Sequence, residues 1–420
     1  MSFPSLSCGG ALKRLTKQRR ESLKVALVWP ATPFLIDPFV HPPLGLWYLW
    51  SVLERAGHEV EYFDLNADPI PTGFDAYLVS GTTPQAGEIK KLAKLLDGRK
   101  IVGGPHATLF PEQMLEWGYD TVVVGEGEEW INAVLADRHC RIIKTPRIGT
   151  RQSLMSIDDI PFPNRSQAHR YHFDVGGRDA TTMFTSRGCP FHCSFCCHAI
   201  WGHRCVQRSA ENVYEEVAQL YDMGYRAVMF FDDTFTLNKK RLYRICELLK
   251  PLDLYWRCFI RADTVDLPML EAMKDAGCVE VGIGIESGSQ KILDIINKGT
   301  TVEQNTQVVQ WCKQVGIAAK AFLILGLPGE DKQTIEETRR WILENRPDKM
   351  DLVFYVPYPK TPITLHPEKY DIHFQYDDFT ECIYKTHPDA FKPLTWTSGI
   401  TRKELYEARQ KILKEAGIGY

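Results

Sequence analysis

Along the first third of the chain, short apolar runs alternate with stretches whose apolar residues recur every three or four positions. The first kind reads as buried strand, the second as helix packed on one face. Leu23–Trp29, Val60–Leu65, Ala76–Ser80, Lys100–Val102 and Thr121–Val124 are strand-like. Helical spacing falls at 44–56, 89–96 and 114–117 and in a stretch ending near Ala136, with Gly57 closing the first of these as a C′ residue. Such repeats predict a parallel sheet with helices on both faces and a ligand at the strand carboxyl ends. A second alternating region starts near Thr181, with strands expected at 182–185, 227–231, 255–260, 279–285, 319–325 and 352–356. Ser209, Asn238, Asp266 and Thr301 are helix-capping residues between them. The fold class is therefore α/β. The expected division is an extension at 1–22, a Rossmann-like (flavodoxin-type) domain at 23–140, a turn-rich linker at 141–180, six strand–helix units at 181–362 and a C-terminal region at 363–420 with an amphipathic helix at 402–416.

Composition adds bounds rather than identity. A chain of 420 residues, 44% hydrophobic and 25% charged, is an ordinary globular protein of two or three domains. A net charge of −3 gives no reason to expect nucleic acid or an anionic membrane, and no apolar run reaches transmembrane length. Basic residues near the start (Lys13, Arg14, Lys17, Arg19, Arg20) precede no apolar segment, so they read as a solvated helix or tail. The 12 cysteines are scattered through a long chain, which excludes a disulfide framework and fits a reducing cytoplasm. Cys246, Cys258, Cys278 and Cys312 fall in apolar patterns and are expected to be buried. His366, His373 and His387 are scattered and are assigned no metal.

The chemistry concentrates in Ser186-Arg187-Gly188-Cys189-Pro190-Phe191-His192-Cys193-Ser194-Phe195-Cys196. Three thiolates on one short loop hold three corners of a 4Fe–4S cluster and leave the fourth iron open. A structural zinc site is the alternative, with Cys197, His198 or Cys205 as fourth ligand, but CxxxCxxC is a poor zinc spacing. The motif, with Phe195 before the last cysteine, resembles that of the radical S-adenosylmethionine (SAM) superfamily. The resemblance implies a partial (β/α)6 barrel, with SAM chelated to the open iron and cleaved to a 5′-deoxyadenosyl radical. It also implies SAM contacts residue by residue. Asp232 and Asp233 end the second strand where an acidic segment receives the SAM ammonium, although they also suit a helix start. Glu286 and Ser287 follow the fourth strand as candidates for ribose or carboxylate, and Gly326 lies in the adenine-side turn Leu325–Glu330. Arg257 and Arg261 share one face of the third strand and meet the SAM carboxylate or a substrate anion, or else form wall ion pairs. Tyr355 and Tyr358 are candidates, with Arg261, for touching substrate. Lys360 stands where relatives carry glycine, so a positive φ is not expected there unless the loop has changed.

The ends of the earlier strands carry Thr82-Thr83-Pro84-Gln85, Gly103-Gly104-Pro105-His106 and Gly125-Glu126-Gly127-Glu128. Together with Pro42–Leu46 they resemble the cobalamin-binding domain that precedes many radical SAM barrels. Thr82–Gln85 are then candidates for the lower corrin face, and Gly103, Gly104, Gly125, Glu126 and Gly127 for the nucleotide tail. No Asp-x-His-x-x-Gly occurs, and His106 lacks the aspartate, so the resemblance implies cobalt without a protein histidine.

Both resemblances together imply a B12-dependent radical SAM C-methyltransferase that methylates an unactivated carbon by way of methylcobalamin. An electron donor of flavodoxin or ferredoxin type is implied. The substrate is left open between a protein residue, such as a glutamine of methyl-coenzyme M reductase in methanogens, and a small natural-product precursor. The alternatives are cyclisation or rearrangement without methyl transfer and a non-catalytic cobalamin or redox sensor. A methylthiotransferase would need three further clustered cysteines near the start.

Overall fold

The computed structural model describes residues 22–375 and 392–417, so Lys13–Arg20 and His387 lie outside the described residues. The chain divides into two compact units, one ending at Arg170 and taking in Ala199–Gly202, the other starting at Tyr171.

The first unit is built on six strands: β1 Lys24–Trp29, β2 Glu59–Asp64, β3 Ala76–Ser80, β4 Arg99–Gly103, β5 Thr121–Val124 and β6 Ile142–Lys144. All pair in parallel in the order β2-β1-β3-β4-β5-β6. Val25–Val28 are fully buried between β2 and β3, as a central strand covered on both faces should be. Strand order reverses between β1 and β3, which opens the crevice at their carboxyl ends. The sheet runs past residue 140. Ile142–Lys144, expected to be linker, pairs with Val122–Val124. Ile160–Asn164 is likewise laid on the helix Leu44–Arg55, where Ser51 Oγ donates to Phe162 O at 2.7 Å and Asn164 N to Trp47 O at 3.1 Å.

In the second unit, β7 Phe173–Val175 and β8 Arg178–Met183 form a hairpin, and β9 Ser186–Arg187 pairs with β10 Val206–Gln207. The remaining strands are β11 Ala227–Phe230, β12 Tyr255–Ile260, β13 Cys278–Glu286, β14 Ala318–Leu325 and β15 Lys349–Phe354, with β16 His373–Phe374 and β17 Thr395–Trp396 as a small separate ladder. The main sheet has the order β15-β14-β13-β12-β11-β8-β7, parallel except at β7. Its six parallel strands, each but the last followed by a helix of the expected kind, are the partial barrel. Ser209, Asn238, Asp266 and Thr301 each accept the backbone N–H three residues on, capping the helices that follow.

Side chains alternate across this sheet. Trp256, Cys258 and Ile260 of β12, Val281, Ile283 and Ile285 of β13 and Ala319–Leu325 at odd positions of β14 form one buried core with the helices. Cys246, Cys258, Cys278 and Cys312 all lie in it, as their apolar settings predict. The opposite, inner face is layered. Its lower layer is ionic: Arg257 Nη1 meets Glu280 at 3.0 Å, Lys349 Nζ meets Glu280 at 2.6 Å, and Lys320 Nζ meets Asp351 at 2.8 Å. Above it, Phe184, Phe231, Phe259 and Phe322 form a continuous file of half-buried rings, with successive centroids 6.0, 5.7 and 5.7 Å apart. Phe259 and Phe322 meet across β13 only because Gly282 lies between them; a Cβ there would come within 2.7 Å of both rings.

Candidate functional site

The cysteine loop leaves β9 and returns at β10, at the carboxyl end of the barrel strands. Its footing is Asp232, fully buried, whose carboxylate accepts the Thr185 backbone N–H at 2.6 Å, the Thr185 hydroxyl, and the Ser186 hydroxyl at 2.6 Å. Three donors on one carboxylate tie Asp232 to the loop. Asp233, next in sequence, is exposed, and its charge acts on Cys189 and Cys196.

The loop is tied again from the far side. Ser194 N donates to Ile296 O at 2.8 Å, and Asn297 Nδ2 donates to His192 O at 2.8 Å. Phe195 packs into an apolar group of Ile292, Ile296, Leu327, Tyr355, Ile363 and Ile372, which makes it an anchor for the loop. Tyr355 is buried in the same group, and the Tyr358 carbonyl accepts the Thr361 and Thr364 hydroxyls at 3.0 and 2.9 Å. Lys360 takes φ +61°, the left-handed region, contrary to expectation. The tight turn has been kept with a lysine in it, its side chain exposed.

Cys193 is buried and Cys189 and Cys196 are half-buried. Burial raises the Cys189 thiol, and burial together with the charges of Cys193, Asp233 and Cys189 raises Cys196. The three sulfurs therefore share one electrostatic neighbourhood. Among the described residues no three His, Cys, Asp or Glu side chains are gathered as a single metal ion requires. Three thiols on a braced loop, with a carboxylate and a guanidinium beside them, suit the larger cluster. Arg261 Nη1 donates to Cys193 Sγ at 3.5 Å. Arg261, a candidate substrate contact in the sequence, thus has its guanidinium on the cysteine loop. Arg257, four residues earlier, is the wall ion pair with Glu280 described above.

Glu286 ends β13 at φ +62°, and its carboxylate pairs with Lys298 at 2.6 Å, both side chains more than nine-tenths buried. The charge of Lys298 partly opposes the rise of the Cys196 thiol, so it too borders the loop. Neither Lys298 nor Asn297 carries any signal in the pattern; they follow a short helix in Asn-Lys-Gly-Thr. Ser287 is fully buried, its hydroxyl 3.1 Å from Thr338 Oγ1. Gly326 N donates to Glu330 at 2.6 Å, closing the turn after β14. Burial pushes the Glu330 carboxyl up to about 8, so the fold accepts the neutral acid. Its contribution is fully present below the ordinary value of 4.5 and is lost as pH rises through about 8. The thermal stability of the metal-free protein is expected to fall across that window by up to about 1.4 kcal/mol per pH unit, and Glu330→Gln to remove this part of the slope. An unaltered slope in the variant would refute the assignment.

In the first unit, Gln85 Nε2 donates to Pro30 O at 2.6 Å, while its Oε1 accepts the Thr82 N–H at 2.9 Å and the Thr82 hydroxyl at 3.0 Å. Gln85 thus stitches the end of β3 to the end of β1. Thr83 is buried, whereas Thr82 and Pro84 stay half-exposed at the crevice. Glu126 is buried and accepts the Ile148 N–H at 2.8 Å. Gly104 takes φ +85°, and a Cβ on it would lie 2.5 Å from Ser80 Oγ, so the packing of β4 against β3 already demands glycine. Gly103, Gly125 and Gly127 sit beside it at the ends of β4 and β5, a strand edge without bulky side chains. Backbone at such an edge fits the approach of a large planar cofactor. His106 is fully buried, its ring 5.1 Å from Phe110 and 5.8 Å from Trp117, and burial pushes it down to about 4. It is an interior residue, not a ligand at the crevice.

Two family descriptions match the chain: the B12 binding domain over residues 37–135 and the radical SAM superfamily over 183–342. An uncharacterized methyltransferase of Pyrococcus horikoshii is 33% identical over 376 residues, covering 81% of this chain and 82% of that protein. The anaerobic magnesium-protoporphyrin IX monomethyl ester cyclase of Cereibacter sphaeroides is 28% identical over 77% of this chain, which spans 60% of the cyclase. Among solved structures, the radical SAM methyltransferase TsrM of Kitasatospora setae, with cobalamin and a 4Fe–4S cluster bound, has a TM-score of 0.69 at 17% identity over 94% of this chain and 89% of TsrM. A radical SAM barrel and a B12-binding sheet thus occur in one polypeptide. The chain belongs to the cobalamin-dependent radical SAM methyltransferases, and its cofactors are a 4Fe–4S cluster, SAM and cobalamin. The zinc alternative falls with this assignment. Among the described residues no helix is long and apolar enough to cross a membrane.

Proposed function

We propose that the chain methylates an unactivated carbon of a small molecule that presents an apolar or aromatic face. Such a carbon has no lone pair to attack a methyl cation, so a hydrogen atom must leave first. When bound, the cluster, SAM and cobalamin supply the radical that removes that hydrogen and the methyl group that replaces it. The observation that carries the reading is the cysteine loop, braced at the carboxyl end of the barrel strands in a chain of this family. Cys189, Cys193 and Cys196 hold three irons and leave the fourth to SAM. Asp233, exposed beside them, takes the SAM ammonium as a charge-assisted pair. Glu286 and Lys298 present both signs to the ribose and carboxylate, and the Gly326 turn lies along the adenine. Thr82, Pro84 and the glycines of β4 and β5 receive the corrin. The phenyl file on the inner face supports the substrate class: half-buried rings above a layer of ion pairs favour an apolar or planar partner. A low-potential flavodoxin or ferredoxin type of protein delivers the electron.

The test is anaerobic turnover of the reconstituted enzyme with methyl-labelled SAM over fractionated cell extracts. Label is expected in a ring-bearing compound of low mass, with 5′-deoxyadenosine and S-adenosylhomocysteine formed alongside. Label confined to a protein, such as a glutamine of methyl-coenzyme M reductase, would replace the small-molecule reading. A substrate consumed without gain of methyl would favour cyclisation or rearrangement. Absence of 5′-deoxyadenosine from a fully loaded cluster would favour a sensor.

A further inference from the structure

We propose that Arg261 is a positioning residue that sets the reduction potential of the cluster through the sulfur of Cys193. The inference rests on the cluster assignment above and concerns how the electron is received.

Arg261 is only 5% exposed, and each guanidinium nitrogen has a partner. Nε and Nη2 make a bidentate pair with Asp263, both at 3.0 Å. Nη2 also donates to Lys298 O at 2.6 Å. The plane lies over the Phe191 ring, 3.5 Å from its centroid. Nη1 is left to donate to Cys193 Sγ at 3.5 Å. Asp263 and Lys298 thus fix the fork from one side, and Phe191 fixes it from the loop itself. An Nη1 N–H is aimed at the sulfur of Cys193, a residue only 8% exposed, where water competes little.

A wall ion pair would need only Asp263. The stack on Phe191 and the N–H on Cys193 place the cation on the ligand loop. Once Cys193 is an iron-bound thiolate, the contact becomes a charge-assisted N–H···S bond in a poorly solvated site. Taking up an electron makes the cluster more negative, and a donor on a ligating sulfur stabilises that state; hydrogen bonds to sulfur are an established lever on cluster potential. Arg261 therefore holds the potential up, and Asp263, by partly cancelling the guanidinium charge, limits how far.

This arrangement predicts opposite signs for two neighbouring changes. Arg261→Met removes the donor and the charge while keeping an apolar stem over Phe191, and the midpoint potential should move more negative. Asp263→Asn leaves the guanidinium uncompensated, and the potential should move more positive. Arg261→Lys keeps a cation without the fork and should fall between Arg261→Met and the parent. The measurement is a redox titration of the anaerobically reconstituted proteins without SAM, followed by electron paramagnetic resonance, with iron and sulfide per chain and the melting of the metal-free proteins recorded in parallel. A bracing role alone lowers iron loading or melting temperature in both variants and leaves the potential of the loaded fraction unmoved. That outcome, or shifts of the same sign in Arg261→Met and Asp263→Asn, overturns the proposal. Should Arg261→Met fail to load iron, the Asp263→Asn and Arg261→Lys shifts decide it. Loss of iron from the parent itself would instead sink the cluster assignment.

Discussion

Replacing Cys193 by alanine is expected to leave the chain folded but without iron–sulfur absorption, with iron at background and no cleavage of SAM. Cys193 is the buried member of the three, and its sulfur is the one that receives the Arg261 N–H. Alanine removes one of three ligands and leaves a buried guanidinium facing a void, so neither the metal nor the local charge is compensated. Cys197 offers the control. It adjoins Cys196, yet its sulfur lies 4.0 Å from Pro359 O, on the segment after β15. Cys197→Ala should retain iron and activity. Iron per chain, the visible spectrum and 5′-deoxyadenosine separate the two variants. A Cys193→Ala protein that keeps its absorption, or a Cys197→Ala protein that loses it, would overturn the assignment of ligands to the triplet.

The strands, the helix caps and the cysteine loop were legible because each rests on local pattern. β12 and β14 read correctly since one face of each is covered by helices and the other is not, which alternates the burial. Ser209, Asn238, Asp266 and Thr301 read correctly because a cap is satisfied within three residues. β6 was missed because Ile-Ile-Lys is too short to carry a period and becomes a strand only by pairing with β5. The different surroundings of Asp232 and Asp233 were beyond sequence reading for the same reason. Adjacent carboxylates look alike until the segment after β8 brings Thr185 and Ser186 to one of them. Arg257 lies in β12 and Arg261 just past its end, and the partners that separate them, Glu280 and the cysteine loop, come from elsewhere in the chain. Gln85 and Glu126 show partners that the sequence does not reveal. Polar residues at glycine-rich strand ends invite a ligand reading, and here each also bonds backbone, at Pro30 and Ile148. The left-handed Lys360 shows that a turn's conformation outlives the residue type that usually supplies it.

Lys298→Met should be the most destabilising single change at the barrel mouth, costing about 3–5 kcal/mol. The pair with Glu286 is short and buried, and β13 bends to make it: its register slips between Gly284 and Glu286, and Glu286 adopts φ +62°. Gly284 gives the pair its room, since a Cβ there would sit 2.5 Å from Glu286 Oε1 and 2.7 Å from Lys298 Nζ. Methionine keeps the apolar stem and strands a carboxylate inside the protein. Removing both charges, in Glu286→Leu with Lys298→Met, should recover most of the loss, because the penalty belongs to the orphaned ion and not to the missing attraction. Denaturant unfolding of the metal-free single and double variants reads this directly. Additive losses would mean that the two side chains are not coupled and that their proximity stabilises nothing. A recovered double variant that still fails to bind SAM would have the more useful meaning. The chain then keeps a costly buried pair, on a strained strand end beside Cys196, for the ligand it meets and not for the fold.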